Sequence, residues 1–207
     1  MDYKDFDVDS WGRKNAFHFY KKFDDPYFNV TANVFINNLL AHSKKNKQSF
    51  FLTSLYVALK AANTIDNFKM RYHGEKIKIY DKIHGGSTLF YDDESFGFAY
   101  YDFIENEQKF HIDSQALIHK ANETKSFDPS GNREDLIYFS SLPWISFTSL
   151  KHAQDKLINP SIPRISFGKY FKDGSEYKMP VSVEVNHALM DGYHLGLFFE
   201  RYETLCR

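Results

Sequence analysis

A single cysteine, Cys206, in 207 residues leaves no intrachain disulfide and no metal cage built on several thiolates. That scarcity suits a reducing compartment, so a cytoplasmic location is expected. Charge of one sign is also missing. Twenty-six Lys and Arg stand against 27 Asp and Glu, for a formal net charge of -1, and such a balance supplies no basic field for nucleic acid. No window reaches the roughly 20 apolar residues that cross a bilayer. The opening Met1-Asp2-Tyr3-Lys4-Asp5-Phe6-Asp7 lacks both the basic start and the apolar run of a secretory leader. Its Asp2 to Asp5 match the beginning of an epitope tag, but Phe6-Asp7-Val8 departs from it and the segment reads as native. No repeat and no low-complexity linker divides the chain. One domain spanning residues 1–207 is expected, long enough to bury roughly 70% of its unfolded surface.

What the sequence has in plenty is rings: 21 Phe and 14 Tyr bring aromatic content to 18%. Rings in that number imply a dense core together with an apolar pocket or a subunit interface. Lys44, Lys45 and Lys47 cluster, as a solvated face or, less simply, as a phosphate contact.

Periodicity supplies the coarse structure. Phe28, Val30, Ala32, Val34 and Ile36 alternate with polar residues as in a half-buried strand. Residues 50–65 read as a helix with Phe51, Leu55, Leu59 and Ala62 on one stripe. Residues 69–80, with Gly74 at the turn, read as a hairpin, and 87–91 and 96–103 as further strands. A helix is expected over 108–122 and a polar surface loop over 124–135. Strands at 136–140, 164–170 and 179–185 precede a closing helix with Leu195, Phe199, Tyr202 and Leu205 on its apolar side. Strands and helices mix without a regular βαβ beat. The expected fold class is α/β, a two-layer sandwich with a mixed sheet packed by helices.

The stretch Val181-Ser182-Val183-Glu184-Val185-Asn186-His187-Ala188-Leu189-Met190-Asp191-Gly192 carries the chemistry. Its alternating valines bring a strand up to Asn186, and Asp191 is suited to cap the helix that follows. His187 therefore falls in the short connection, where side chains are often presented to a site. An imidazole titrates near pH 6.5 and can serve as a base at neutral pH; a satisfied structural histidine fits the spacing as well. A metal site of His187, Asp191 and His194 would need all three on one continuous helix, and the valine alternation places His187 before it, so no metal is expected.

His187-x-x-x-Asp191-Gly192 resembles the motif shared by chloramphenicol acetyltransferases and dihydrolipoamide acyltransferases. Ser140-x-x-Pro143-Trp144-x-x-Phe147-x-Ser149 is similar to a block of the chloramphenicol enzymes. The opening Phe6-Asp7-Val8-x-x-Trp11-x-Arg13-Lys14, with Phe19 and Tyr20, resembles their N-terminus. Phe68-Lys69-Met70-Arg71 and Gly168-Lys169-Tyr170 add matches in the same order, over nearly the whole chain.

The resemblance implies an acetyl-CoA-dependent O-acetyltransferase in which His187 takes the proton of an acceptor hydroxyl and Ser140 steadies the oxyanion. Chloramphenicol is the leading acceptor, attacking the thioester without an acyl-enzyme. Acetyl-CoA is a co-substrate and no cofactor is held permanently. The resemblance further implies an Asp191–Arg13 ion pair supporting the loop, Trp144, Lys169 and Tyr170 along the coenzyme channel, and Phe19, Tyr20, Phe28 and Phe96 around the acceptor. Ser166 would hold a water near the reaction centre. A homotrimer with active sites between subunits, serving antibiotic resistance, is the matching assembly and role.

Departures from the family pattern are Asn186 for the first of two adjacent histidines, and Ser49 for a coenzyme-contacting lysine with Lys47 nearby. Arg164 stands for an apolar acceptor-pocket residue, and Asp24 and Asp25 for neutral ones. They point to a different, more polar alcohol as the alternative acceptor. A non-catalytic binder on the same scaffold is opposed by the presence of both His187 and Ser140. The acyltransferase core of a dehydrogenase complex normally follows a lipoyl domain and flexible linker, and neither is in this sequence.

Overall fold

The computed structural model describes residues 2–125, 127, 129, 133–153 and 161–207. In chain order the elements are β1 (Tyr3–Phe6), α1 (Lys14–Tyr20), β2 (Tyr27–Phe35), α2 (Asn37–Lys45) and α3 (Phe50–Asn63). A 3-10 turn (Asp66–Lys69) leads into β3 (Met70–His73), β4 (Lys76–Tyr80), β5 (His84–Phe90), β6 (Phe96–Tyr101) and α4 (Glu107–Thr124). The remainder is β7 (Leu136–Leu142), β8 (Arg164–Gly168), β9 (Phe171–Asp173), β10 (Glu176–Asn186) and α5 (Gly192–Cys206).

The main sheet runs β2-β10-β8-β7-β5-β6, with β9 paired to β10. Its β5–β7 and β7–β8 pairs are parallel and the others antiparallel, so the sheet is mixed. A second sheet, β1-β4-β3, stands apart. The two-layer α/β sandwich expected from the sequence is the fold observed.

Its core lies between the helices and one face of the main sheet. Val181, Val183 and Val185 of β10 are buried there with Leu55 and Leu59 of α3 and Leu195 and Phe198 of α5. α3 is buried all the way from Leu52 to Leu59, and again at Ala61 and Ala62. A single stripe would suffice against the sheet alone, but α2, α4 and α5 flank this helix as well.

Along Met179–Asn186, β10 is buried on both faces. Ser182, Glu184 and Asn186, on the face away from the helices, are buried too. A central strand covered on both sides needs partners for its polar side chains. Asn29 donates to Ser182 Oγ at 2.7 Å, and Asn186 donates to Tyr72 OH at 3.2 Å while accepting from Ala188 N at 2.9 Å.

Several boundaries move. The 164–170 run ends at Gly168, and β9 is a separate strand. Lys69 belongs to the 3-10 turn, and the β3–β4 hairpin turns at Gly74 with a φ of +59°, which favours glycine. Residues 126, 128 and 130–132 of the expected loop lie outside the described residues. α1, α2 and β1 have no counterpart in the sequence pattern. The tag-like Asp2–Asp5 segment forms most of β1, which pairs with β4.

Arg71 is fully buried and ties the small sheet to the main one. It donates to the carbonyls of Glu134 (2.8 Å), Phe68 (2.9 Å), Met70 (2.6 Å) and Leu136 (2.5 Å). Burial pulls its pKa down to about 10, which leaves it protonated at neutral pH. The Phe68–Arg71 block thus has a structural reason.

Candidate active site

His187 sits where the valines imply, in the turn between β10 and α5. Its backbone N–H donates to Pro26 O at 2.8 Å, which ties the turn to the start of β2. The ring lies between Tyr20, stacked at 3.9 Å and 7°, and Phe28 at 4.5 Å. Nδ1 is 3.0 Å from Met190 O. A carbonyl only accepts, so Nδ1 carries the proton and Nε2 keeps its lone pair.

Asp191 caps α5, accepting from Tyr193 N at 3.0 Å, and His194 Nδ1 returns the cap by accepting from Asp191 N at 3.1 Å. The other carboxylate oxygen pairs with Arg13, whose second nitrogen reaches His187 O at 3.3 Å. Arg13 thus links the start of α1 to both the cap of α5 and the backbone of the turn. The pair is not deeply buried, however: its side chains are 19% and 35% exposed. Among the described residues no group of three or more His, Cys, Asp and Glu is arranged to hold a metal.

Trp144, Lys169 and Tyr170 come together on an apolar cavity of about 640 Å³, walled also by Phe50, Phe51 and Ser141. Trp144 is 65% exposed at its rim, in edge contact with Phe90. Gly168 explains the adjacent motif: a Cβ there would lie 3.0 Å from the Phe147 ring and 3.1 Å from Ile145 O. That close approach lets Lys169 N donate to Ile145 O at 2.9 Å, pinning the Pro143–Phe147 turn against β8. The Ser49 hydroxyl accepts from Leu52 N at 3.4 Å as the cap of α3, and Lys44, Lys45 and Lys47 are exposed in the segment before it.

Ser140 is half-buried on β7, in register with Ser166 of β8, which is in register with Ser182 of β10. Ser166 is fully buried, and its hydroxyl meets His152 Nε2 at 2.8 Å. The sequence pattern gives no sign of His152. A lone histidine in a polar loop has no period or motif to mark it. Burial holds its pKa below the ordinary value, so the ring is neutral at pH 7.

The structure does not bring Ser140 and His187 together within one chain. His187 lies five residues beyond Ser182 and two strands from β7, roughly 19 Å at ordinary sheet spacing. The rings that the resemblance places around the acceptor are divided likewise. Tyr20 and Phe28 flank His187, with Phe19 in edge contact with Tyr20. Phe96 stands at the opposite end of the sheet, against Phe98 and Phe127. Asp24 and Asp25 are exposed, and Asp25 pairs with Lys151 at 2.8 Å. Arg164 is not an unpartnered buried charge, because Glu184 receives it at 2.8 Å.

A two-layer mixed-sheet fold, with a histidine held in one tautomer at a strand's end and an apolar cavity beside a serine-bearing strand, suits an acyltransferase. Residues 1–203 match the family model for chloramphenicol acetyltransferase, and the chain belongs to that family. It is similar to chloramphenicol acetyltransferases of Escherichia coli (28% identical over 206 residues, 99% of this chain and 94% of the relative) and of Clostridium perfringens (28% over 208 residues, 99% and 95%). A solved chloramphenicol acetyltransferase superposes with a TM-score of 0.90 at 27% identity, with 100% of each chain covered. A dihydrolipoamide acetyltransferase of Azotobacter vinelandii shares the fold, with a TM-score of 0.68 at 16% identity over 93% of this chain and 86% of that one.

Proposed function

We propose that this enzyme moves the acetyl group of acetyl-CoA to a hydroxyl of chloramphenicol, with His187 as general base and Ser140 as oxyanion donor. His187 Nε2 takes the hydroxyl proton as the oxygen attacks the thioester carbonyl. The tetrahedral oxyanion accepts a hydrogen bond from Ser140 and then collapses, breaking the C–S bond. The imidazolium returns its proton to the departing coenzyme thiolate. The observation that carries the reading is the Nδ1–H to Met190 O bond, which commits the ring to the tautomer a base requires.

The acting unit in this reading is a homotrimer of single-domain chains, 1–207, in the cytoplasm, where acetyl-CoA is available. The separation of Ser140 from His187 supports sites shared between copies. So does β2, an edge strand of nine residues that ends the main sheet with Val30 exposed. Trp144, Lys169 and Tyr170 would bind the coenzyme, and Tyr20, Phe28, Phe19 and Phe96 would enclose the acceptor from two chains. Among the described residues no helix is long and apolar enough to cross a membrane.

Thiol release from acetyl-CoA with chloramphenicol tests the proposal. His187→Ala should lower kcat by about 10²–10⁴ while coenzyme binding and assembly persist. Equal turnover in the variant and the wild type would refute the mechanism.

A further inference from the structure

β5 pairs with β7 only between His84 and Ser87, opposite Leu136 to Phe139. Beyond that point β5 follows β6 to Phe90, and β7 follows β8 to Leu142. The two strands therefore part, and the sheet opens into a fork. The apolar cavity lies in this fork, with Thr88, Leu89 and Phe90 on one prong and Ser141, Pro143 and Trp144 on the other. Side chains alternate between faces along a strand. Ser141, in register with the core residue Phe167, faces the helices and the cavity, whereas Ser140, in register with Ser166, faces the other side of the sheet. Ser141 is half-buried in this largely apolar wall, and among the described residues its hydroxyl has no hydrogen-bond partner.

We propose that Ser141 is a coenzyme-binding residue: its hydroxyl accepts the N–H of the amide nearest the thioester in the pantetheine arm of acetyl-CoA, and the end of the arm passes through the fork to Ser140. This rests on the acetyl-transfer reading above. Ser141 stands at an unspecified position of the Ser140-x-x-Pro143-Trp144 block, so the motif itself gives it no role. An apolar cavity orients its ligand through a few polar groups set among the apolar ones. The amide carries a donor that apolar walls would leave unpaired, and a buried donor without a partner weakens binding. Ser141 offers the acceptor inside the cavity, while Thr88 and Lys169 are exposed at its rim. The spacing also fits. The Cα atoms of Ser140 and Ser141 are about 3.8 Å apart, and their hydroxyls, on opposite faces, roughly 7 Å. In the coenzyme four bonds, roughly 5 Å when extended, separate that amide nitrogen from the thioester carbonyl carbon. With a hydrogen bond of about 2.9 Å at each end, an arm held at Ser141 reaches Ser140 with its carbonyl oxygen.

The test is calorimetric binding of coenzyme A, pantetheine and adenosine 3′,5′-bisphosphate to the whole assembly, with thiol-release kinetics alongside. Ser141→Ala should weaken coenzyme A and pantetheine about 3- to 10-fold and leave the bisphosphate, which has no arm, unchanged. The KM for acetyl-CoA should rise by the same factor, with kcat and the chloramphenicol KM retained. Ser141→Thr, which keeps the hydroxyl and suits a strand, should restore the affinity. Equal affinity for coenzyme A in the wild type and Ser141→Ala would overturn this inference alone, as would a loss shared by the bisphosphate. A fall in kcat with KM retained would place the hydroxyl at the oxyanion and overturn it too. Wild-type protein that binds neither coenzyme A nor pantetheine would overturn the acetyl-transfer reading and this one with it.

Discussion

Asp191 joins three interactions at one residue: it caps α5, pairs with Arg13 and receives the reciprocal cap of His194. Had the ion pair been buried, breaking it would cost about 3–5 kcal/mol. With both partners partly open to solvent, about 1–2 kcal/mol is the better expectation. Asn keeps the capping oxygen, so Asp191→Asn isolates the charge, and Asp191→Ala should cost about 1 kcal/mol more. Burial raises the carboxyl pKa, but Arg13 and His194 outweigh it and hold the group below its ordinary 3.8. A lowered carboxylate stabilises the fold above its unfolded pKa, and that contribution fades as pH falls through the lowered value. The gap in unfolding free energy between wild type and Asp191→Asn should therefore be full at pH 7 and shrink below about pH 4. Denaturant titrations at pH 7 and pH 3 would reveal it; an equal gap at both would rule out the electrostatic role.

Between elements, Arg71 holds the 3-10 turn, β3 and the start of β7 through carbonyls gathered around one buried guanidinium. Arg71→Met should lower stability by about 3–5 kcal/mol, because it strips donors from several acceptors at once. Urea unfolding would measure this, and a loss under about 1 kcal/mol would show that the carbonyls find other partners. Elements with a strong period are legible in the sequence. The valines of β10 place His187 ahead of α5, and Asp191 marks the cap. α1 has seven residues with aromatic side chains on several sides, and α2 buries only Leu39, Leu40 and Ser43, so neither shows an apolar stripe. β1 is mostly exposed and is joined to β4 by backbone pairing, which no side-chain pattern records. Arg164 stands out in the sequence as a misplaced charge, but only the register of β8 against β10 supplies Glu184 as its partner.

At the scale of the whole molecule, the proposed pairing of Ser140 with His187 makes a specific demand on assembly, because one chain holds them apart. If each site takes its serine from one copy and its histidine from the next, two inactive variants can complement each other. Ser140→Ala and His187→Ala chains, co-expressed with different tags and purified through both, form hybrid rings. In a three-membered ring of either hybrid composition, one site combines an intact serine with an intact histidine, so the hybrids should show about a third of wild-type kcat. A two-fold dimer with shared sites would give about half. Sites complete within one chain would give no recovery, since every chain lacks one of the two groups, and that outcome would also require a rearrangement bringing the end of β10 to the middle of β7.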